Sequence, residues 1–242
     1  MFSETAELYD LIYQQFKDYD EESRRIAALL ERVHPGARTV LDVACGTGEH
    51  ARILGTGSDL AVDGLDIVPE FVRIAEQKNP GRTFFRADMT DFDLRRTYDV
   101  VLCLFSSIGY VRTPDNLCRA LGCFRRHLAP GGVVVVEPWF EPRQWQPGSV
   151  FLQTAEVEGL KVCRMSHSRV RDGVSVLDFH YLIGRPEGIE HRRETHELGL
   201  FTRAEMERSF AESGLQVVEY DSEGLTGRGL FLARAAREQE NS

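Results

Sequence analysis

Three carboxylates, Asp42, Asp66 and Asp88, sit in or just after apolar runs in the first ninety residues. Between the first two lies Gly46-Thr47-Gly48. Glycine at 46 and 48 lets the backbone take φ > 0 and lets a ligand come close, while the helix that should follow offers unpaired N–H groups at its start. Gly46-x-Gly48-x-x-Ala51, with Asp66 eighteen residues beyond Gly48, also satisfies the dinucleotide fingerprint. Two features shift the balance: Asp42 lies inside the strand before the turn, and Asp88-Met89 follows the next apolar run. The spacing predicts three carboxylates at the C-terminal ends of successive strands, where open α/β sheets bind ligands. So much negative charge repels a pyrophosphate and suits a cationic ligand.

The elements that must hold these groups follow from the pattern of apolar residues. The stretch 39–51, TVLDVACGTGEHA, reads as a buried strand, a glycine turn and a helix start. Helix is expected over 6–32 with a break at Lys17-Asp18-Tyr19-Asp20, and again over 49–54, 67–78 with Pro69 in its first turn, and 114–128. Strands are expected over 59–66, 83–87, 98–104 and 133–137. This alternation implies a parallel sheet with helices on both faces. From 151 to 200 short alternating segments appear, with a hairpin signal at Asp172-Gly173, and predict an inserted antiparallel sheet that caps the site, forms a dimer interface, or both. A helix over 202–213 carries a capping box, Thr202 with Glu205, and strands near 215–220 and 229–235 close the sheet. The last six residues, 237–242, read as a frayed tail.

Composition bounds the function. The 242 residues are 42% hydrophobic and 28% charged, enough for one large domain and its core. A net charge of −9 argues against nucleic-acid binding, and no apolar run is long enough to span a membrane. No secretory signal is legible at the start, so a cytoplasmic location is expected. Five cysteines without C-x-x-C spacing suggest reduced core thiols, and no histidine pair, His191 and His196 included, has persuasive metal-ligand spacing.

The pattern D-x-A-C-G-T-G, then Asp66, then Asp88-Met89 resembles class I S-adenosylmethionine-dependent methyltransferases, with a Rossmann-like mixed seven-stranded sheet. Three later segments narrow the match: 104–110, LFSSIGY; 127–139, HLAPGGVVVVEPW; and 226–231, TGRGLF. With 164–168, RMSHS, in the inserted sheet, the chain resembles the N,N-dimethyltransferases of nucleotide-linked amino sugars in antibiotic pathways, over nearly its whole length. The resemblance implies one methyltransferase domain over 1–242, with residues 1–35 as a helical lid and an insertion at about 150–200. It implies cofactor contacts from Tyr19, Asp42, Ala44, Gly46 and Gly48. Asp66 would bind the ribose hydroxyls with Ile67 beside it, Asp88 the adenine amino group with Met89 beside it, and Leu104 and Phe105 would complete the set.

Each assignment has a bland alternative. Asp42 either orders the turn through backbone N–H groups or meets the ligand's ammonium. Tyr13 and Tyr19 either pack the lid or touch the ligand. In the sugar enzymes a histidine typically follows F-S-S-I-G, whereas this chain has Tyr110. Tyrosine, with a reference pKa of about 10, is a poor base at neutral pH. Either the acceptor differs, or proximity and orientation suffice and Tyr110 and Tyr13 only aim the amine; Tyr110 reads equally as plain pocket wall. Arg164 and Arg228 are candidates for a substrate diphosphate, with Ser166 and His180 as neutral donors, against the reading of surface arginines on an ordinary sheet. Trp139 either stacks on a base or packs under the insertion. The competing functions are transfer to another amine or hydroxyl, a dinucleotide-dependent oxidoreductase, and a non-catalytic binder.

Overall fold

In the computed structural model, residues 5–236 are described, so the tail expected over 237–242 lies outside the described residues. Strands β1 (Thr39–Val43), β2 (Ala61–Asp66), β3 (Phe84–Arg86), β4 (Tyr98–Cys103) and β5 (Leu128–Val136) are parallel, and β10 (Leu215–Asp221) and β11 (Leu230–Ala235) form an antiparallel pair. The seven-stranded order is β10-β11-β5-β4-β1-β2-β3, with β11 antiparallel to β5. The expected mixed seven-stranded sheet is therefore present.

Alternate residues of each buried strand feed opposite faces, as the pleat requires. Leu41, Val101, Val134 and Phe231 pack with α5 (Pro114–Arg126) and α6 (Arg203–Glu212). Val40, Val100, Val133 and Leu232 pack with α2 (Tyr19–Val33), α3 (Glu49–Gly57) and α4 (Pro69–Lys78). The helix ends follow local chemistry: Asp18 accepts from the Glu21 N–H at 2.8 Å to start α2, Pro69 opens α4, and the Thr202–Glu205 capping box opens α6.

The insertion is a separate four-stranded antiparallel sheet of β6 (Val150–Val157), β7 (Leu160–Arg171), β8 (Val174–Arg185) and β9 (Gly188–Gly199). Arg171-Asp172-Gly173 turns β7 into β8, with positive φ at Asp172 and Gly173. The N-terminal segment, a 3-10 turn followed by α1 (Tyr9–Tyr13), lies against this sheet: Leu8 and Ile12 pack on Val162, Phe179, Tyr181 and Ile183. Ala6 packs against Val68 and Phe71 of the main domain. The segment thus bridges the two sheets over the ends of β1, β2 and β4.

Two departures from expectation lie beside the central strand β4. Strand β5 begins at Leu128, five residues early, because the Pro130-Gly131-Gly132 stretch bulges against β4 and does not end the pairing. After β4 the chain makes a 3-10 turn, Ser107–Val111, where no helix is expected.

Candidate active site

The strand ends open into one cavity of about 690 Å³, roofed by the inserted sheet and α1. Of the residues named from sequence, Ala44, Gly46, Asp66, Ile67, Asp88, Met89 and Phe105 line one end of it. Tyr13, Tyr110, Arg164, Ser166 and Arg228 line the remainder. Asp42, Tyr19 and Leu104 line a small recess that adjoins it behind Gly46.

At the end of β1, the carboxyl of Asp42 is buried, and its Oδ2 has no hydrogen-bond partner among the described residues. Burial, reinforced by the charge of Asp66, pushes Asp42 up to about 7. Asp66 orders the turn that Asp42 was the candidate to order. Its Oδ2 accepts from the Gly46 N–H at 3.0 Å and its Oδ1 from the Val68 N–H at 2.9 Å. Burial raises its pKa too, against those N–H bonds. Asp88 closes a turn with the Thr90 N–H and hydroxyl, both at 2.8 Å, and stays exposed at the cavity rim.

The two glycines of the turn differ in role. Gly46 has φ +56°, and a Cβ there would meet nothing closer than Tyr9 at 4.0 Å, so a ligand can approach its backbone. At Gly48 a Cβ would stand 2.8 Å from Asn79 and 2.9 Å from Ala75, so that glycine is required by the packing of α3 on α4 and lines neither space. His180 is also misplaced by sequence reasoning. Strand alternation turns it to the outer face of the insertion, where it is exposed and stacks on His191.

Arg164 and Arg228 are not ordinary surface arginines. Arg164 is 5% exposed, lies 5.0 Å from the Tyr13 ring and 4.8 Å from that of Phe179, and donates to the Tyr13 hydroxyl at 3.3 Å and to Gln153. Arg228 lies 4.9 Å from the Trp139 ring and donates to Ser106 Oγ at 3.0 Å, with its Nε unpartnered among the described residues. Burial pulls its pKa down. Trp139 packs under the insertion. It walls the cavity, and its Nε1 is anchored under the insertion on Ser175 Oγ at 2.8 Å.

Two residues escaped the sequence reading. Lys17, in the break before α2, is buried with its Nζ 2.5 Å from Glu22 and 3.8 Å from the Phe105 ring centre. Burial lowers its pKa, with Glu22 opposing. His196 lines the cavity and meets the Tyr110 hydroxyl through Nδ1 at 2.7 Å. The alternation of Glu194, His196 and Leu198 could have placed them on one face, but nothing in the sequence says which face is inward.

The donor set suits S-adenosylmethionine: an unpartnered carboxyl for a cation, a strand-end carboxylate for ribose hydroxyls and an open Gly46 backbone. A pyrophosphate would find its usual seat spoiled, because Thr47 donates to Asp10 at 2.6 Å and Glu49 occupies the first turn of α3.

A methyltransferase domain family matches residues 40–132. The chain is 44% identical over 230 residues to the dTDP-3-amino-3,6-dideoxy-alpha-D-glucopyranose N,N-dimethyltransferase of Streptomyces fradiae, covering 94% of this chain and 89% of that one. It is 40% identical to the dTDP-3-amino-3,4,6-trideoxy-alpha-D-glucopyranose N,N-dimethyltransferase of Streptomyces venezuelae, covering 94% and 96%. Among solved structures, Streptomyces venezuelae DesVI superposes with a TM-score of 0.89 at 38% identity, covering 96% of this chain and 98% of that one. The S-adenosylmethionine-bound amino pentose methyltransferase CalS10 from Micromonospora echinaspora superposes at 0.84 and 34%, covering 93% and 95%. Fold, site and relatives define a class I S-adenosylmethionine-dependent methyltransferase. Within that class, the chain belongs to the family of dTDP-amino-sugar N,N-dimethyltransferases.

Proposed function

We propose that this enzyme methylates the amino group of a nucleotide-linked deoxyamino sugar, as a step in making an antibiotic sugar. The observation that carries this reading is the second half of the cavity. Beyond the strand-end carboxylates it presents two largely buried arginines, Arg164 and Arg228, among the rings of Tyr13, Phe179 and Trp139. Cations held dry among aromatic faces suit a diphosphate and a stacked base, and the names of the relatives specify dTDP-linked amino sugars.

When bound, S-adenosylmethionine supplies an electrophilic methyl on a sulfonium. The chain's own contribution is placement. Asp42 holds the cofactor's ammonium, Asp66 its ribose, and Asp88 with Met89 its adenine end. Arg164, Arg228 and Ser166 hold the nucleotide, and Tyr13 and Tyr110 face the space between the two halves. Positive charge moves from donor to acceptor with no new full charge created, so proximity and orientation supply most of the acceleration. Residues 5–35 serve as the lid, residues 1–4 of that segment lying outside the described residues, and the outer face of the inserted sheet serves as a homodimer contact. Among the described residues no helix is long and apolar enough to cross a membrane.

A second reading, another amine or a hydroxyl as acceptor, is favoured by one observation: Tyr110 stands where the sugar enzymes typically carry histidine. Turnover with S-adenosylmethionine and a panel of dTDP-amino sugars, read by product mass, separates the two. A product gaining one or two methyl units supports the amino sugar. Cofactor binding with every amino sugar unchanged overturns it.

A further inference from the structure

Tyr110, at the 3-10 turn after β4, meets His196, on β9, across the join between the two sheets. The Tyr110 oxygen and His196 Nδ1 are 2.7 Å apart. On its other side His196 Nε2 lies 3.5 Å from Glu194 Oε2. Glu194 in turn accepts from Thr5 Oγ1 at 2.8 Å and from the Tyr181 hydroxyl at 3.4 Å. His196 and Glu194 are 1% and 5% exposed, and Tyr110 and His196 both border the cavity. Glu194 and His196, two residues apart on one strand, share its inner face. Burying three titratable side chains where apolar ones would pack costs stability, so such a cluster at a cavity wall, hydrogen-bonded from Tyr110 to His196 and within ion-pair range from His196 to Glu194, calls for a function.

We propose that Tyr110, His196 and Glu194 form a proton relay that deprotonates the incoming ammonium of the substrate, an inference resting on the amine-acceptor reading above. An amine on a sugar ring ionises between about 8 and about 10.4, the α-amino and lysine values, so at neutral pH it arrives charged and without a free electron pair. In the relay an N–H bond of the ammonium breaks and its proton bonds to the Tyr110 oxygen. The proton already on that oxygen passes to His196 Nδ1, and the electron pair stays on the amine nitrogen. The phenol is unchanged, and the imidazolium formed directs its Nε2–H at the Glu194 carboxylate. The proton returns to solvent when the product leaves.

The environment agrees with these roles. Burial holds Tyr110 far above the ordinary tyrosine value, so it is an O–H donor and not itself the base. Burial lowers His196, with Glu194 opposing, so it is a neutral acceptor at pH 7. The other groups facing the pair are Tyr181 on β8, Arg164 on β7, Tyr13 on α1 and Asp66 on β2. The base absent from position 110 is thus supplied from the inserted sheet, one hydrogen bond further away.

Two measurements test the relay. Nitrogen NMR of the imidazoles in the cofactor-free protein should find His196 neutral at pH 7, with its proton on Nε2. Finding it charged, or protonated on Nδ1, overturns the proposal. The second is kcat/KM against pH for a dTDP-amino sugar, for wild type, Tyr110→Phe and His196→Gln. Both variants should lose about 10- to 100-fold at pH 7, regain about tenfold per pH unit as free amine becomes available, and approach wild type near pH 9. Losses that are the same at every pH mark a structural role and overturn the relay alone. If wild type yields no methylated amine, the amine-acceptor reading falls and the relay with it.

Discussion

At the scale of single residues, Asp42 carries the clearest consequence. Its carboxyl is buried beside Asp66, and the positive charge that acts on it, that of Lys17, is itself paired with Glu22. A folded-state pKa of about 7 lies above the unfolded value. The native state therefore binds the extra proton, and Asp42 weakens the ligand-free fold as pH rises from about 4 through 7. Asp42→Asn should remove much of that dependence, leaving ligand-free protein about 1–3 kcal/mol more stable than wild type at pH 8 by chemical denaturation. The ligand reverses the sign, because its ammonium needs the ionised form. Calorimetric affinity for S-adenosylmethionine should strengthen through pH 7 in wild type, and in Asp42→Asn should be about 10- to 100-fold weaker and flat with pH. Equal affinities for the two proteins at pH 8 would remove Asp42 from the cofactor site.

At the scale of elements, the site depends on how the ends of β4, β5 and the β10–β11 loop are tied. Phe105 and Ser106 take φ of +51° and +62°, a costly conformation for residues with a Cβ. Glu137, just past β5 and fully buried, holds them. Its carboxylate accepts from the Phe105 N–H at 2.7 Å and from the Thr226 hydroxyl at 2.5 Å, and Ser106 Oγ donates to Pro138 O at 2.6 Å. Glu137→Ala strands both donors and should cost about 2–4 kcal/mol in thermal or denaturant unfolding, with weaker cofactor binding because the Phe105 face loses its support. Glu137→Gln, which keeps one acceptor oxygen, should restore part of both. An alanine variant of wild-type stability would refute the tie. These contacts also show what was legible in the sequence. Strands such as 98–104 announce themselves through apolar runs, here Val100 to Leu104, and the 202–213 helix through its capping box, because both signals are local. The Ser107–Val111 turn has no apolar period, and the pairing of Tyr110 with His196 joins elements whose register only the fold decides. The strand-end aspartates were readable because their position relative to a glycine turn is a local pattern. Gly48 and His180 were misjudged because glycine packing and strand facing are tertiary facts.

At the scale of the whole molecule, the insertion has two faces with different work. Its inner face is covered by α1 and the cavity, with Arg164, Phe179, Tyr181 and His196 turned inward. Its outer face leaves Met165 47%, Leu182 49% and Ile189 79% exposed, beside the stacked pair His180 and His191. Lone exposed apolar residues are ordinary, but Met165, Leu182 and Ile189 follow one another diagonally over three adjacent strands, each two residues off the direct partner of the one before, and such a stripe suits a contact. Three of the strands run twelve residues, so the sheet spans about 40 Å by 19 Å. That is about 750 Å² a copy, close to the roughly 800 Å² per partner of a stable interface. The expected mass by sedimentation at micromolar concentration is that of a dimer. Met165→Glu with Leu182→Glu should return a monomer that keeps its cofactor affinity, because neither side chain lines the cavity. A wild-type monomer, or a double variant still dimeric, would move the contact elsewhere and leave the inserted sheet with its roofing role alone.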